Sequence, residues 1–391
     1  MPRKKSASKL KKIWLVSHIQ QIWRFAWPKI RTFYAQHKVW RALSLGLGGL
    51  LLFAGLLAFI FRPAATHKIE RVGASFSVAY AEELGVDWRA SYRALLNDID
   101  INYLRLMSPW NRHEPVDDEF NFEELDWQMD QAAAAGARVS LAIGLRQPRW
   151  PECHYPDWAK RMPREEWHPK LMQYLEVLVN RYKNHPALMS YQLENEALNH
   201  WFGECFVHDR GHLKEDLTKE FELVKTLDSR HPVVMSLSDQ HGIPAGQPTP
   251  DIYGYSVYRI VYNTEISKGY FIYPTPIWYH RLRAWIIDVL KDRPILIHEL
   301  QLEPWGPAPT TQLSIPEQDH SMSVAQMYRN VDFARQIGLD EAYLWGAEWW
   351  YWRKTVLEDP DPWVAAKDIV RQINRGQKFT VPKVQSSLIE L

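Results

Sequence analysis

The pattern that most constrains the fold of this chain is a regular alternation of short apolar runs with longer amphipathic stretches. The short runs are rich in aliphatic and aromatic residues, which is typical of strands, and the stretches between them have the apolar spacing of helices. The unit of strand and helix repeats over about 310 residues, which predicts an α/β fold with a closed parallel sheet. We therefore predict a (β/α)8 TIM barrel over residues 68–375.

The predicted strands are Arg71–Val78, Ile101–Met107, Arg138–Ile143, Leu188–Leu193, Pro232–Leu237, Ile252–Val257, Ile295–His298 and Ala342–Trp345. The predicted helices are Asp87–Asp98, Phe122–Ala135, Glu165–Tyr182, Lys214–Leu227, Trp278–Leu290, Val324–Ile337 and Trp363–Ile373. The fifth connection, Gln240–Pro250, is rich in glycine and proline and too short for a full helix, so we expect that unit to be reduced.

A different pattern precedes the barrel. Residues 42–61 carry no charge and consist mainly of Leu, Ala, Gly and Phe. A helix of this length crosses the ~30 Å hydrocarbon core of a bilayer. A signal peptide has a shorter apolar region nearer the terminus, and Arg62-Pro63-Ala64-Ala65 is not a convincing cleavage site. We expect one uncleaved transmembrane helix, a signal-anchor in the lipid bilayer, and a linker over residues 62–67.

Charge is divided unevenly between the two ends of the chain. Residues 1–41 contain eleven Lys and Arg and no Asp or Glu, which leaves 36 basic against 46 acidic residues in the remainder. The positive-inside rule then predicts a basic cytoplasmic tail over 1–41 and an extracytoplasmic barrel at the cell membrane. An acidic body is not the footprint of nucleic-acid binding, so no nucleic-acid partner is expected. Residues 376–391 are interpreted as a C-terminal tail.

Two peptides place a glutamate where a predicted strand ends. They are Leu193-Glu194-Asn195-Glu196 and Ile297-His298-Glu299-Leu300. Either glutamate alone could be a surface residue or a neighbour of a helix cap. In an α/β barrel, however, the carboxyl ends of the strands form the active-site face, and the fourth and seventh strands face each other across it. A retaining glycosidase needs two carboxyl groups ~5–5.5 Å apart at such a place.

An Asn-Glu pair that ends the fourth strand and a glutamate that ends the seventh resemble the signature of a clan of retaining glycoside hydrolases. This clan contains cellulases, β-mannanases and β-galactosidases, and the resemblance covers residues 68–375. It implies that Glu196 is the catalytic acid/base and Glu299 the catalytic nucleophile of a double displacement on β-glycosidic bonds. It also implies a carbohydrate substrate, an oligosaccharide or polysaccharide.

Further positions match the same resemblance. Asn195 matches the residue that contacts the sugar 2-hydroxyl, and Arg105 matches an arginine that would hold the nucleophile ionised and oriented. Tyr258, in preference to Tyr255, matches the tyrosine that hydrogen-bonds the nucleophile. Trp345 matches the tryptophan under the reacting sugar. Taken singly, these side chains could equally form an ion pair or fill the core.

The chain also departs from the clan after its third strand. Where many members have a histidine, this sequence has Arg146 and Arg149, which could contact a charged sugar or pair with an acidic loop. Glu194 precedes the acid/base candidate by two positions, so strand alternation places both on one face and makes Glu194 a rival. Glu303 and Glu348 are further rivals.

The tryptophan content indicates a sugar ligand. The chain has 19 tryptophans, and flat aromatic rings receive the apolar faces of pyranoses. Of those in predicted loops we expect about half to pack, and we take Trp150 and Trp305 as candidate sugar contacts. The loop tryptophans are Trp110, Trp150, Trp201, Trp305, Trp349, Trp350 and Trp352.

Other ligands are not indicated. The sequence has no glycine-rich phosphate loop and no zinc-type histidine spacing, so we expect neither a cofactor nor a metal. Cys153 follows the third strand and Cys205 follows the fourth, which makes them candidates for a disulfide outside the cytoplasm, the alternative being two buried thiols.

The sequence therefore favours a membrane-anchored, extracytoplasmic retaining glycoside hydrolase. A transglycosylase, in which an acceptor sugar replaces water, would use the same two glutamates. A catalytically inactive glycan-binding barrel is the alternative from another class, but a binding module does not need two opposed carboxylates.

Overall fold

The structure is a computed structural model that describes residues 37–63, 69–197, 214–237, 248–264 and 267–382, together with 26, 28–29 and 32–33. The chain forms two compact units, Met1–Ile60 and Phe61–Leu391. Most of the predicted basic tail lies outside the described residues. So do parts of the loops that follow the fourth and fifth strands, including most of the connection Gln240–Pro250.

The first unit contains helix α1 (Lys38–Ile60). Over its most apolar window the mean hydropathy is 2.3, and none of that window is buried against protein. By length and composition α1 could cross a membrane. A signal sequence near the N-terminus has the same properties, so α1 is a candidate span, one that covers most of the predicted residues 42–61.

The second unit is a closed barrel of eight parallel strands, which confirms the predicted (β/α)8 fold. The strands are β1 (Arg71–Phe76), β2 (Tyr103–Met107), β3 (Arg138–Ile143), β4 (Leu188–Leu193), β5 (Val233–Ser236), β6 (Ile252–Val257), β9 (Ile295–Gln301) and β10 (Glu341–Trp345). Around the barrel their order is β1-β10-β9-β6-β5-β4-β3-β2. A hairpin of β7 (Ile260–Asn263) and β8 (Gly269–Ile272) follows β6.

The α-helices of this unit, within the described residues, comprise seven that were predicted and four shorter ones that were not. The predicted seven are α3 (Trp88–Asn97), α5 (Glu123–Ala134), α6 (Arg164–Tyr182), α7 (Lys214–Leu227), α8 (Ile277–Lys291), α10 (Val324–Ile337) and α12 (Asp361–Asn374). The other four, like the hairpin, lie in the connections that follow strand ends. They are α2 (Val78–Glu83), α4 (Trp110–His113), α9 (Ile315–Met322) and α11 (Ala347–Thr355).

Two strand ends differ from the prediction for local reasons. Strand β1 stops at Phe76 because Ser77 caps α2, its side chain accepting a hydrogen bond from the backbone N–H of Tyr80 at 3.3 Å. Strand β9 continues beyond His298 to Gln301. Glu299 therefore lies inside a strand and not after it.

Helix packing shows how the sequence closes the barrel. Helix α6 buries an apolar stripe that includes Leu171, Leu175 and Leu178, and such a stripe is what drives a helix onto a sheet. Between them Tyr174 donates a hydrogen bond from its hydroxyl to the backbone oxygen of Ser108 at 2.8 Å. This bond ties α6 to the chain just after β2, beside the mouth of the barrel.

Gly73 in β1 is required by close packing inside the barrel. A Cβ atom at this position would lie 2.6 Å from the ring of Tyr343 and 2.8 Å from the backbone oxygen of Tyr103. Such separations are well inside van der Waals contact. The absence of a side chain at Gly73 lets the Tyr343 ring lie across β1.

We predict that Gly73→Ala lowers the free energy of unfolding by about 1–3 kcal/mol, because an extra methyl group must displace a packed ring or the backbone. Gly269→Ala is the control, since its Cβ would meet nothing closer than an oxygen at 3.7 Å. Urea unfolding of both variants measures the difference. Equal stability of the two variants would contradict this account of the barrel interior.

Candidate active site

A bulge in β9 shapes the mouth of the barrel. Along β6, Tyr255 pairs with Ile297 and the next residue, Ser256, pairs with Glu299, so His298 is an extra residue in β9. The register against β10 shifts at the same place. A bulge inserts one unpaired residue and re-aims the side chains around it. The sequence did not reveal this bulge.

The side chain of Arg105 joins three strands in the mouth. It is fully buried, and its Nη1 lies 2.7 Å from Oε1 of Glu299. Its Nε donates to Oε1 of Gln192 at 2.7 Å, and its Nη2 donates to Oδ1 of Asn195 at 3.0 Å. A buried guanidinium requires both a counter-charge and satisfied donors, and Glu299 together with the two amides supplies them.

The second carboxylate oxygen of Glu299 is held by Tyr258. The tyrosine hydroxyl donates to Oε2 at 2.8 Å, and burial, then the negative charge of Glu299, raises the pKa of Tyr258 well above its usual value. The hydroxyl therefore stays a donor at neutral pH. Tyr255 lies elsewhere: its ring stacks on His280 with centroids 5.9 Å apart.

Glu196 follows β4 with a φ of 45°. Its backbone N–H donates to the hydroxyl of Ser236 at 2.8 Å. Its Oε1 accepts a hydrogen bond from the hydroxyl of Ser256 at 3.2 Å. Because Ser256 is also the β6 partner of Glu299 in register, one serine bonds Glu196 and lies beside Glu299 on the neighbouring strand. The sequence analysis did not predict either serine. Their positions at or near the carboxyl ends of β5 and β6 could have indicated that they belong to the site.

Glu194 has a different environment from Glu196. Its carboxylate accepts hydrogen bonds from the backbone N–H groups of Leu145 and Arg146, both at 2.6 Å. A Cβ at Gly144 would lie 2.0 Å from this carboxylate. The expectation that Glu194 and Glu196 share a face was wrong, because positive φ angles at both residues end the alternation of the strand. Glu194 fastens the loop after β3 to β4.

Arg149 engages the other two rival carboxylates. Its guanidinium contacts both oxygens of Glu303, at 2.5 and 2.9 Å, and Oε2 of Glu348 at 3.2 Å. It also lies over two rings, 3.7 Å from the centroid of Tyr80 and 4.2 Å from that of Trp345. The sequence allowed Arg149 either to contact a charged sugar or to pair with acidic residues, and in the structure it pairs with two carboxylates.

Glu152, which sequence reasoning missed, places another carboxylate beside Asn195. Its Oε2 accepts from Nδ2 of Asn195 at 3.1 Å and lies 3.5 Å from Nη2 of Arg146. Burial raises the pKa of Glu152 to about 7, against the opposing charge of Arg146. The carboxyl group therefore changes its charge near neutral pH within contact of the candidate site.

The tryptophans divide into packing and surface groups. Trp150 is 64% exposed and Trp305 is 50% exposed. The ring of Trp305 packs edge-on to Tyr258, with centroids 5.5 Å apart, so an exposed indole adjoins the residues around Glu299. Trp345 is buried beneath Arg149. Four others are buried and pack in the unit: Trp110, Trp349, Trp350 and Trp352. Trp201 lies outside the described residues.

Cys153 is buried and disulfide-bonded. Its predicted partner, Cys205, lies outside the described residues, so the pairing stays a prediction. Among the residues that the structure describes, Glu114, Asp117 and Asp118 form a group with metal-ligand spacing. Lys170 already pairs with both aspartates, at 2.9 and 3.3 Å, and Trp110 donates to Glu114 at 2.6 Å. We therefore assign no metal to this group.

Comparison with known sequences finds glycosidases. The model of the family Glyco_hydro_42, described as beta-galactosidase, matches residues 86–235. Beta-galactosidase LacZ of Heyndrickxia coagulans is 28% identical over 137 residues, 30% of this chain and 20% of that protein. Beta-galactosidase BgaB of Geobacillus sp. (strain Y412MC61) is 30% identical over 130 residues, 29% of this chain and 19% of that protein. The chain thus matches about a fifth of the length of these relatives.

Solved structures share the fold. A GH5_18 protein from Streptomyces cattleya in complex with GlcNAc superposes with a TM-score of 0.54 at 12% identity, over 81% of this chain and 83% of that chain. A beta-galactosidase from the haloarchaeon Halorubrum lacusprofundi gives 0.50 at 13% identity, over 78% and 58%. The structural matches show the shared barrel fold, and the family model and sequence relatives confirm the predicted resemblance to (β/α)8 glycoside hydrolases.

Proposed function

We propose that the barrel is a retaining glycoside hydrolase that cleaves β-glycosides of the β-galactoside or β-mannoside type. The observation that carries the proposal is the fixed carboxylate of Glu299, which is bonded on one oxygen by Arg105 and on the other by Tyr258. The beta-galactosidase relatives support the β-galactosides, and the β-mannosides follow from the clan resemblance.

The different partners of the two glutamates support different roles. Glu299 meets a guanidinium on one oxygen and a neutral hydroxyl on the other, which hold the carboxylate in one orientation, as a nucleophile requires. Glu196 accepts a hydrogen bond from the hydroxyl of Ser256, which also leaves a protonated carboxyl group possible. Carboxylates whose environments differ in this way divide into nucleophile and general acid. We assign Glu299 as the nucleophile and Glu196 as the acid/base.

Neighbouring side chains would hold the sugar. Asn195 is fixed by Arg105, Gln192 and Glu152, so its amide is pre-oriented toward a substrate hydroxyl near the nucleophile. The exposed rings of Trp150 and Trp305 would receive apolar sugar faces. Trp345, whose ring lies under the guanidinium of Arg149, would form the floor of the site.

The anchoring of the enzyme is part of the same proposal. Helix α1 would cross the bilayer, because its residues 42–60 carry no charge and a basic segment precedes them. The N-terminus would then be cytoplasmic and the barrel extracytoplasmic. Catalysis would take place on carbohydrate outside the cytoplasmic membrane.

We predict that Glu299→Gln lowers kcat/KM on an aryl β-galactoside or aryl β-mannoside by at least about a thousandfold, because no glycosyl-enzyme can form. Glu303→Gln is the matched control, since Glu303 is also buried and lies two residues beyond the end of the strand that carries Glu299, but is paired with Arg149. Steady-state kinetics of both variants measures the difference. An equal loss in Glu303→Gln would remove Glu299 from the role of nucleophile.

The acid/base is tested with the same substrates. Glu196→Ala should lose about 10²–10⁴-fold in rate on glycosides with poor leaving groups and much less on activated aryl glycosides, whose departure needs little protonation. Added azide should restore the rate and give a β-glycosyl azide. Uniform loss across leaving groups, without azide rescue, would reject the assignment.

We predict that Glu152 makes the protein less stable as pH rises from about 4.5 to about 7. In this window the folded carboxyl group keeps a proton that the unfolded one has released, so the free energy of unfolding falls as pH increases, by up to about 3 kcal/mol. Glu152→Gln should remove this part of the pH dependence, and the exposed Glu176→Gln should not. Urea unfolding at pH 4.5 and pH 8 measures it. An unchanged pH dependence in Glu152→Gln would contradict the raised pKa.

A further inference from the structure

Helix α8 turns apolar side chains to solvent. Its buried residues are His280, Arg283 and Ile287, two of which are polar. Trp285, by contrast, is 52% exposed and Val289 is 59% exposed. This is the reverse of an ordinary barrel helix, which packs its apolar stripe on the sheet. Helix α10 follows the ordinary pattern and buries mainly apolar residues.

Apolar side chains on α8 form one continuous stripe, in which Trp285 and Val289 are exposed and Trp278 and Leu282 are half-buried. Trp278, Leu282, Trp285 and Val289 are separated by four, three and four residues, so they lie on one face of the helix. At 1.5 Å per residue the stripe is about 16 Å long. An apolar strip of this length on a solvent-facing surface indicates that a partner covers it. We call this surface, formed by these four residues, the α8 stripe.

The chain enters the barrel unit at the α8 stripe. Phe61 is the first residue of that unit and directly follows Ile60, the last residue of α1. The ring of Phe61 packs against Trp285, with centroids 5.7 Å apart. If α1 crosses the bilayer, its end lies at the membrane surface, and Phe61 and its partner Trp285 lie at that level as well. Indole rings are enriched at this headgroup depth.

The position of the stripe also sets a direction. Trp285 and Val289 belong to the second half of α8, which leads into the amino end of β9 at Ile295. The candidate active site lies at the opposite, carboxyl end of the strands, around Glu299. A membrane that covers Trp285 and Val289 therefore lies at the end of the barrel opposite its mouth.

We propose that the α8 stripe lies in the headgroup layer of the bilayer, so that the barrel is docked on the membrane with its mouth directed away from the lipid. The proposal rests on the proposed membrane span and is independent of the proposed hydrolase activity. The partner is a lipid surface because the chain segment that contacts the stripe is the one that emerges from the span.

The test uses the full-length protein in nanodiscs of phosphatidylethanolamine and phosphatidylglycerol. Single cysteines are introduced as Val289→Cys and Val364→Cys and labelled, without reduction, with the environment-sensitive fluorophore NBD. Val364 is the matched control, because it is also a valine, is 58% exposed against 59% for Val289, and lies in the first turn of α12. The parent chain gives the background labelling.

We expect blue-shifted NBD emission at position 289 and several-fold stronger quenching by headgroup-nitroxide lipid than at position 364. Trp285→Glu, added to Val289→Cys, should reduce that quenching several-fold. Flotation of the protein with liposomes of the same composition reports the span separately.

Other outcomes would overturn the docking proposal, and they separate it from the membrane span. If the protein floats but both labels are quenched equally, docking is wrong and the span stands. If it does not float, both are wrong, while activity on aryl glycosides still reports on the hydrolase. If the label at position 289 is shielded in detergent in a concentration-dependent manner, the stripe binds a second copy of the chain and the lipid proposal is overturned.

Discussion

The buried contact between Arg105 and Glu299 is the interaction on which the mouth of the barrel depends. Arg105 comes from β2 and is fully buried, and its three donors reach Gln192 in β4, Asn195 two residues beyond β4, and Glu299 in β9. Removing one member of a buried ion pair costs about 3–5 kcal/mol, because the other charge is left without compensation. The same contact that orients Glu299 therefore also holds distant strands in place.

Around this pair the acidic residues are sorted by their partners. Arg149 pairs with Glu303 and Glu348, and Arg146 pairs with Glu152. Backbone N–H groups donate hydrogen bonds to Glu194. A mouth crowded with carboxylates would repel itself without these cations. Each glutamate in the mouth therefore has its own set of partners. An acid and a nucleophile that are both glutamates need such different surroundings.

Much of the barrel could be predicted from the sequence, because burial on both faces gives parallel strands recognisable apolar runs. Strands β3, β4 and β6 begin and end where predicted. The contacts of Arg105 and Tyr258 with Glu299 could be anticipated only through the resemblance to a clan, since residues so far apart in sequence share no local signal. The bulge at His298, the positive φ of Glu194 and the place of Glu152 could not, because they depend on neighbouring strands and loops. The stripe of α8 has a helical period, but periodicity alone does not say which face is buried.

Covalent labelling tests the central claim most directly. A retaining mechanism forms a glycosyl-enzyme on its nucleophile, and a 2-deoxy-2-fluoro analogue of an aryl β-glycoside that the protein turns over should accumulate this intermediate. Mass spectrometry of the digested protein should then find the fluorosugar on the peptide that contains Glu299, and Glu299→Gln should abolish the label. A fluorosugar attached to Glu303 or Glu196, or turnover with inverted product and no label, would contradict the account.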